Sequence, residues 1–321
     1  LTLLTLLVAL AGCRSREAAP DKLRPFRLMT FAGAEAPLLA EREGFFGRAG
    51  LAVEMQETPG AAKAMEALLS GSVDSIIGTY EQVLQVQAQG KPVVAYLLLT
   101  DCHCLALVAS PGKGVNSLRD LKGKTIGVGA PGGQMQTFAS YLLKRAGLQG
   151  DDAAYVAIGV GATALAAIEA GKVDAGVVLA NTYAPLRSRH PDLVVLAETF
   201  TPLGTAGVFD SPSYPSMALI AQPEWLEQNA ETAQRMIRAL HGTIGWMRRQ
   251  PVETIQQKLG LSSADALRMH LPRYLEWGEI PPERLAAVYN FVSQTNPTVA
   301  NARFDLNRTY TNRYFFQAMQ K

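Results

Sequence analysis

Ala67-Leu68-Leu69-Ser70-Gly71-Ser72-Val73-Asp74 returns one hundred residues later as Ala167-Ile168-Glu169-Ala170-Gly171-Lys172-Val173-Asp174. Each copy is an apolar helical turn ended by glycine, the residue that takes the left-handed conformation after a helix at least cost. Each is followed by Val-Asp and a short apolar run, the pattern of a buried strand. The spacing is far beyond solenoid periods of about 20–50 residues, so the echo implies two similar lobes and not an array. Asp74 and Asp174 are read as part of the helix-to-strand connection.

Around these two anchors the chain alternates strands with helices. Strands are expected at Phe26–Phe31, Leu51–Gln56, Val73–Ile77 and Pro92–Thr100, with helices at Pro37–Gly44, Ala61–Ser70 and Glu81–Gln89. The same order resumes with strands at Thr125–Val128, Ala154–Ala157 and Ala175–Leu179, and helices at Gln134–Ala146 and Ala162–Ala170. Such alternation predicts α/β architecture, with parallel or mixed sheets covered on both faces. After about Pro223 helices dominate. Trp225, Leu226, Met236, Ile237, Leu240 and Trp246 fit an amphipathic helix folded onto the first lobe, with arginines 235, 238, 248 and 249 on its solvated face.

Composition narrows the classes of function. The 321 residues are long enough for two cores, and 30 Lys+Arg against 28 Asp+Glu is too even for a dedicated nucleic-acid binder. With 48% hydrophobic residues the chain is not disordered, and three cysteines do not make a disulfide scaffold. Residues 1–10 are an apolar run too short to cross a bilayer, ending in Leu10-Ala11-Gly12-Cys13. This resembles a bacterial lipoprotein signal, in which the cysteine is acylated; more than one acyl chain gives stable anchoring. Cys13 is therefore the expected lipidation site, and residues 14–25 the tether.

Three further segments resemble one family. Glu41-Arg42-Glu43-Gly44-Phe45-Phe46 with Ala49-Gly50-Leu51-Ala52-Val53-Glu54 is the first. Ser117-Leu118-Arg119-Asp120-Leu121-Lys122-Gly123-Lys124-Thr125-Ile126-Gly127-Val128 and Glu169-Ala170-Gly171-Lys172-Val173-Asp174-Ala175 are the others. In order, they look like the motifs of the NMT1/THI5-like solute-binding proteins of ABC importers, which take nitrate, sulfonates, taurine or thiamine-pyrimidine precursors. The resemblance implies a periplasmic-binding-protein-like (type II) fold with a ligand cleft between two lobes and a helical C-terminal tail on lobe 1. Lobe 1 is expected over 26–106 and 207–321, with lobe 2 inserted over 107–206. Crossing strands near Leu105–Ala109 and Gly204–Phe209 would hinge the lobes, so that closure traps the solute.

Ligands of open α/β sheets bind at loops beyond strand C-termini. In the first such loop Glu35 either faces a cationic ligand group or is an ordinary first-turn acid. In the second, Thr79 caps a helix and Tyr80 offers an aromatic face with a polar tip. The third, Gly129-Ala130-Pro131-Gly132-Gly133-Gln134-Met135, exposes main-chain N–H groups suited to an acidic ligand end. Gly132, Gly133, Gln134 and Met135 are its candidates; the loop lacks the P-loop pattern. Asn181 and Tyr183 follow the Ala175–Leu179 strand, and Tyr214 lies near the second crossing. Glu35, Glu81 and Asp101 on the lobe-1 side argue against a purely anionic solute and for a zwitterion such as taurine or an aminated pyrimidine.

Asp101-Cys102-His103-Cys104 has no second ligand cluster to complete a metal site. A Cys102–Cys104 disulfide, a cleft position for His103, and a buried structural segment remain open. The cysteine-rich motif of the fungal enzyme of this fold class is missing. No Ser-His-Asp arrangement, carboxylate pair or metal cluster stands out, so the expectation is a solute binder without catalysis, cofactor or metal. It would be extracytoplasmic, lipid-anchored and monomeric, with an ABC permease as partner. The alternatives are an enzyme of the same fold, such as a pyrimidine-precursor synthase, and a sensory ligand-binding module.

Overall fold

The computed structural model describes residues 23–31, 34–58, 61–261, 263–303 and 305–320. Cys13 and the apolar run before it lie outside the described residues, as does most of the tether. Strand β1 (Arg24–Phe31) takes in Arg24 and Pro25, which the sequence had assigned to the tether. It is followed by α1 (Glu35–Arg42), α2 (Phe45–Arg48), β2 (Leu51–Thr58), α3 (Ala61–Leu69), β3 (Ser75–Thr79), α4 (Tyr80–Ala88) and β4 (Val94–Leu98). The chain then crosses to a second sheet through β5 (Ala106–Ala109), β6 (Thr125–Val128), α5 (Gln134–Arg145), β7 (Ala154–Ala157), α6 (Ala162–Glu169), β8 (Ala175–Val178), α7 (Ala180–Arg189) and β9 (Val195–Glu198). Helix α8 (Pro202–Phe209) leads back, and β10 (Met217–Ala221) re-enters the first sheet.

The two sheets have the same plan. Their orders are β2-β1-β3-β10-β4 and β7-β6-β8-β5-β9. In each, parallel strands form one side, and one antiparallel strand (β10 or β5) is delivered only after the chain has visited the other sheet. Strands β4, β5 and β8 are buried along their whole length, as apolar runs covered on both faces should be. These two sheets with flanking helices are the periplasmic-binding-protein-like α/β fold.

The echo around Asp74 and Asp174 has one physical cause. Asp74 Oδ2 accepts from Arg27 N at 2.7 Å while its own N–H donates to Arg27 O. Asp174 does the same to Thr125, at 2.9 Å. In each lobe the aspartate carries the sheet's pairing past the point where the strand proper begins. Gly71 and Gly171 both stand at positive φ, 74° and 59°, turning the helix end toward that aspartate.

The crossings differ from the expected pair of hinge strands. Ala106–Ala109 is a strand, but an internal one of the second sheet. Gly204–Phe209 is not a strand; it lies in α8. Thr201 caps that helix by accepting Gly204 N at 2.9 Å and Pro202 sits in its first turn, a helix-start signal that outweighs the apolar run. The counterpart of β5 is β10. The two crossings are tied to each other at Leu105 and Thr199. Thr199 N donates to Leu105 O, and Leu105 N donates to the buried Thr199 Oγ1, each at 2.9 Å.

The C-terminal part comprises α9 (Pro223–Gln228), α10 (Ala230–Arg249), α11 (Val252–Leu259), α12 (Asp265–His270), α13 (Leu285–Thr295), α14 (Pro297–Asn301) and α15 (Arg313–Met319). Met236, Ile237, Leu240 and Met247 of α10 are buried in one core with Phe26 of β1 and Leu39 of α1. The tail is not confined to lobe 1, because α12 packs on α7 and α13 touches α5 as well as α4. A single apolar cluster runs from Ile76 and Leu98 through Phe209 and Tyr214 to Leu107, Ile126 and Val177, joining the lobes. Among the described residues no helix is long and apolar enough to cross a membrane.

Candidate ligand site between the lobes

Three donors from different parts of the fold converge on one carboxylate oxygen. Glu81, in the first turn of α4, accepts on Oε1 from the Tyr214 hydroxyl at 2.8 Å. His103 Nε2, from the first crossing, lies 3.2 Å from the same oxygen, and Gln134 Nε2, opening α5 of lobe 2, lies 3.4 Å away. A proton on His103 Nε2 satisfies this contact. Burial alone would push the Glu81 carboxyl up. The hydrogen bond and charge of His103, with the Tyr214 and Gln134 bonds, outweigh it and hold the group below its usual range. Burial raises Tyr214, and the neighbouring Glu81 raises it further. Glu81 is thus a buried anion and Tyr214 a neutral donor.

His103 is enclosed by rings. Tyr214, Phe138, Phe291 and Phe209 have centroids 5.0, 5.1, 5.3 and 5.5 Å from the imidazole. They come from α5 of lobe 2, the second crossing and α13. Its side chain is 0% exposed, yet Nδ1 has no partner among the described residues.

A second group is built around Glu35. Glu35 Oε2 accepts from the Tyr274 hydroxyl at 2.7 Å, and His270 Nδ1 lies 3.7 Å from Glu35 Oε1. Burial raises Tyr274 strongly, and Glu35 adds to the shift. His270 faces the Phe200 ring at 6.4 Å, and Phe200 packs on Tyr183 at 5.2 Å, which links the tail to lobe 2. Asp101 meets Arg284 Nη1 at 3.3 Å and accepts from Ser213 Oγ at 2.5 Å. Glu35, Glu81 and Asp101 therefore each have a partner of their own. Of the three, Glu81 and Glu35 are met by tyrosine hydroxyls, which leave their charge in place, and Asp101 by an arginine.

The other expected site residues fall into two sets. Tyr214 and Gln134 belong to the Glu81 cluster, and Glu35 and Tyr183 border the second group. Gly133 precedes α5 with no side-chain cap, so first-turn N–H groups there lack intrahelical partners. The Gly132 N–H, however, is taken by Gln136 Oε1 at 2.7 Å, and the Met135 sulfur is turned back onto Gly129 N at 3.2 Å. Thr79 is the N-cap of α4, with its N–H donating to Gln82 Oε1, and Asn181 is exposed in the first turn of α7. Tyr80 needs correction as a ligand-facing aromatic. It is 0% exposed and its hydroxyl bonds Thr309 in the C-terminal tail, because the first turn of α4 sends residues 80 and 81 to different sides.

Phe138, Phe209 and Phe291 were not expected in the site, whereas Glu81 was expected as a charge on the lobe-1 side and a cleft position for His103 was one of three open readings. Cys102 and Cys104 form a disulfide around His103. Among the described residues no three His, Cys, Asp or Glu side chains are grouped as metal ligands.

Comparison with known proteins follows the same fold. The chain is 23% identical to a Schizosaccharomyces pombe protein named 4-amino-5-hydroxymethyl-2-methylpyrimidine phosphate synthase, over 74% of this chain and 68% of that one. It is 34% identical to the putative binding protein YtlA of Bacillus subtilis, over 44% of this chain and 42% of that one. Among solved structures, the periplasmic aliphatic sulphonate binding protein SsuA of Escherichia coli superposes with a TM-score of 0.71 at 19% identity, covering 91% of this chain and 99% of that chain. Relatives from Aspergillus parasiticus and Uromyces fabae also bear the synthase name, with 65% and 41% of their lengths matched. The expectation that catalysis is excluded is overturned, since proteins named as enzymes share this sequence pattern. Glu81, His103 and Tyr214 meet only in the folded chain, where no local motif records them. Residues 35–254 match the family model described as NMT1/THI5 like, and the chain belongs to that family.

Proposed function

We propose that this chain is the solute-capturing component of an ABC importer, binding a small polar solute of the sulfonate/taurine or pyrimidine type between its lobes. The observation that carries the reading is the Glu81 cluster, in which lobe 1, lobe 2 and the first crossing meet on one carboxylate. Glu81 Oε2 takes no donor from the described residues and is free to accept an N–H or O–H of a solute. The uncapped start of α5 offers main-chain donors for an acidic end. Glu35, Thr79, Gly133, Gln134, Asn181, Tyr183 and Tyr214 complete the site, and movement about the Leu105–Thr199 tie opens and closes it. The lobes span 24–105 with about 207–321, and 106 to about 206, so that β1 and β5 each stay within one lobe. The Leu10-Ala11-Gly12-Cys13 box supports an extracytoplasmic protein anchored by lipid at Cys13, next to the permease it serves; palmitate labelling abolished by Cys13→Ala tests the anchor.

The test is thermal shift with nitrate, ethanesulfonate, taurine and 4-amino-5-hydroxymethyl-2-methylpyrimidine. A solute at one hundred times its Kd stabilises by about 2.7 kcal/mol, easily seen as a higher Tm. No shift with any of them removes this substrate class. The curated relatives named as synthases support a second reading, in which Glu81, His103 and Tyr214 handle protons in pyrimidine chemistry. Turnover of a pyrimidine probe, or loss of mass from the protein itself, would favour it over capture.

A further inference from the structure

The first crossing is held at both ends and bare in the middle. Asp101 N donates to Arg273 O at 3.0 Å, Thr100 O accepts from Ser216 N at 3.1 Å, and Leu105 is tied to Thr199. Between them, the antiparallel Asp101–Pro215 bridge reaches Cys102 through its N–H, whereas His103 and Cys104 make no main-chain hydrogen bond to any described residue, although His103 is buried. Past that bridge, neither a ladder nor a helix fixes the backbones of His103 and Cys104. What joins them is the disulfide, which bridges Cα atoms 5.1 Å apart and makes His103 the middle residue of a small ring. Cys104 stands at φ 58°, a left-handed conformation that a non-glycine residue keeps only when its surroundings hold it there.

We propose that the Cys102–Cys104 disulfide is a redox-sensitive positioning device that holds His103 on Glu81 in the interlobe site. Oxidised, the ring leaves His103 one backbone geometry, and the imidazole sits among four aromatic rings with Nε2 at Glu81 Oε1. A dithiol reduces it in two steps. One thiolate attacks the Sγ of Cys104, the less buried residue of the two, and expels the Cys102 thiolate; the second thiol then displaces Cys104. Two electrons and two protons pass to the cysteines, and the dithiol becomes a disulfide. Cys104 then relaxes out of its left-handed conformation, His103 turns, and Glu81 loses a donor. The consequence for solute capture rests on the function proposed above, whereas the positioning of His103 does not.

The experiment compares the full chain oxidised and after dithiothreitol, with thiols counted and far-UV circular dichroism recorded. His103 is followed through its imidazole ¹⁵N resonances against pH, and Leu105 through amide exchange. Reduction is expected to move the His103 resonances and their pH profile and to speed Leu105 exchange about tenfold or more. Affinity for taurine or 4-amino-5-hydroxymethyl-2-methylpyrimidine, whichever binds, should fall about tenfold and return on reoxidation. A folded protein with two free thiols and unchanged His103 resonances overturns the proposal. Should reduction unfold the chain, the double variant Cys102→Ala/Cys104→Gly supplies a residue suited to φ 58°. Oxidised-like His103 resonances in that variant overturn the proposal, and displaced ones support it. If neither probe binds either form, the capture reading fails while the His103 spectrum still decides the positioning.

Discussion

Replacing Glu81 by glutamine keeps the shape of the side chain and removes its charge. In the parent, Oε1 accepts from Tyr214 at 2.8 Å and from His103 at 3.2 Å, with Gln134 more distant at 3.4 Å. A hydrogen bond to a charged group contributes about 1.5–3 kcal/mol and a neutral one about 0.5–1.5, so each of the two closer bonds loses roughly 1–1.5 kcal/mol. The expected cost of Glu81→Gln is therefore about 2–3 kcal/mol at neutral pH, near the lower edge of what breaking a buried pair costs. The pH dependence has a defined sign. The folded carboxyl titrates below its ordinary value of 4.5, so its contribution is complete above that value and is lost as pH falls through the lowered one. Urea unfolding followed by tryptophan fluorescence at a series of pH values measures the gap between parent and variant. The gap should be full at pH 7 and close progressively below about pH 4.5. Equal midpoints at pH 7, or a gap undiminished well below the lowered carboxyl value, would refute the assignment of Glu81 as a buried, stabilised anion.

Three further outcomes follow from the packing. Thr199→Val leaves the Leu105 N–H without its buried acceptor and should cost about 1–3 kcal/mol in urea unfolding. Asp174→Ala removes the acceptor of the Thr125 N–H, and Asp74→Ala that of Arg27; each should destabilise by about 1–3 kcal/mol, visible as a lower Tm. At Gly127 a Cβ would stand 2.5 Å from Ile158 Cδ1, with two more atoms of that side chain within 3.1 Å, so Gly127→Ala should cost about 1–3 kcal/mol of overpacking; a neutral result would mean that Ile158 can move aside.

Much of the fold was legible because it is written locally. Glycine after a helix, Val-Asp before a strand and alternating apolar runs each specify their own element, so most strands before residue 180 fall where expected. The second crossing was misread because Thr201-Pro202-Leu203-Gly204 starts a helix inside an apolar stretch, and an apolar run alone does not separate strand from buried helix. The site was only half legible. The loop after a strand located Gln134 and the second crossing located Tyr214, yet Glu81 meets His103 and Phe209 meets Phe291 through pairings set by topology, which no local pattern records. The Cys-His-Cys segment held a signal after all. Two cysteines around one histidine on a crossing mark a constrained imidazole once a disulfide is allowed between them.

The interleaved strand order also fixes the sequence in which the molecule can be finished during synthesis. All five strands of the second sheet have emerged by Glu198, so that sheet can be completed before the tail helices that later pack on its lobe are made. The first sheet has to wait longer, since β10 belongs between β3 and β4 and arrives only with Met217–Ala221. Until then Ile76 and Ile77 of β3 and the apolar β4 have an open place between them. The lobe begun first is completed last, and the older half of the chain is the one that needs protection from aggregation on its way out.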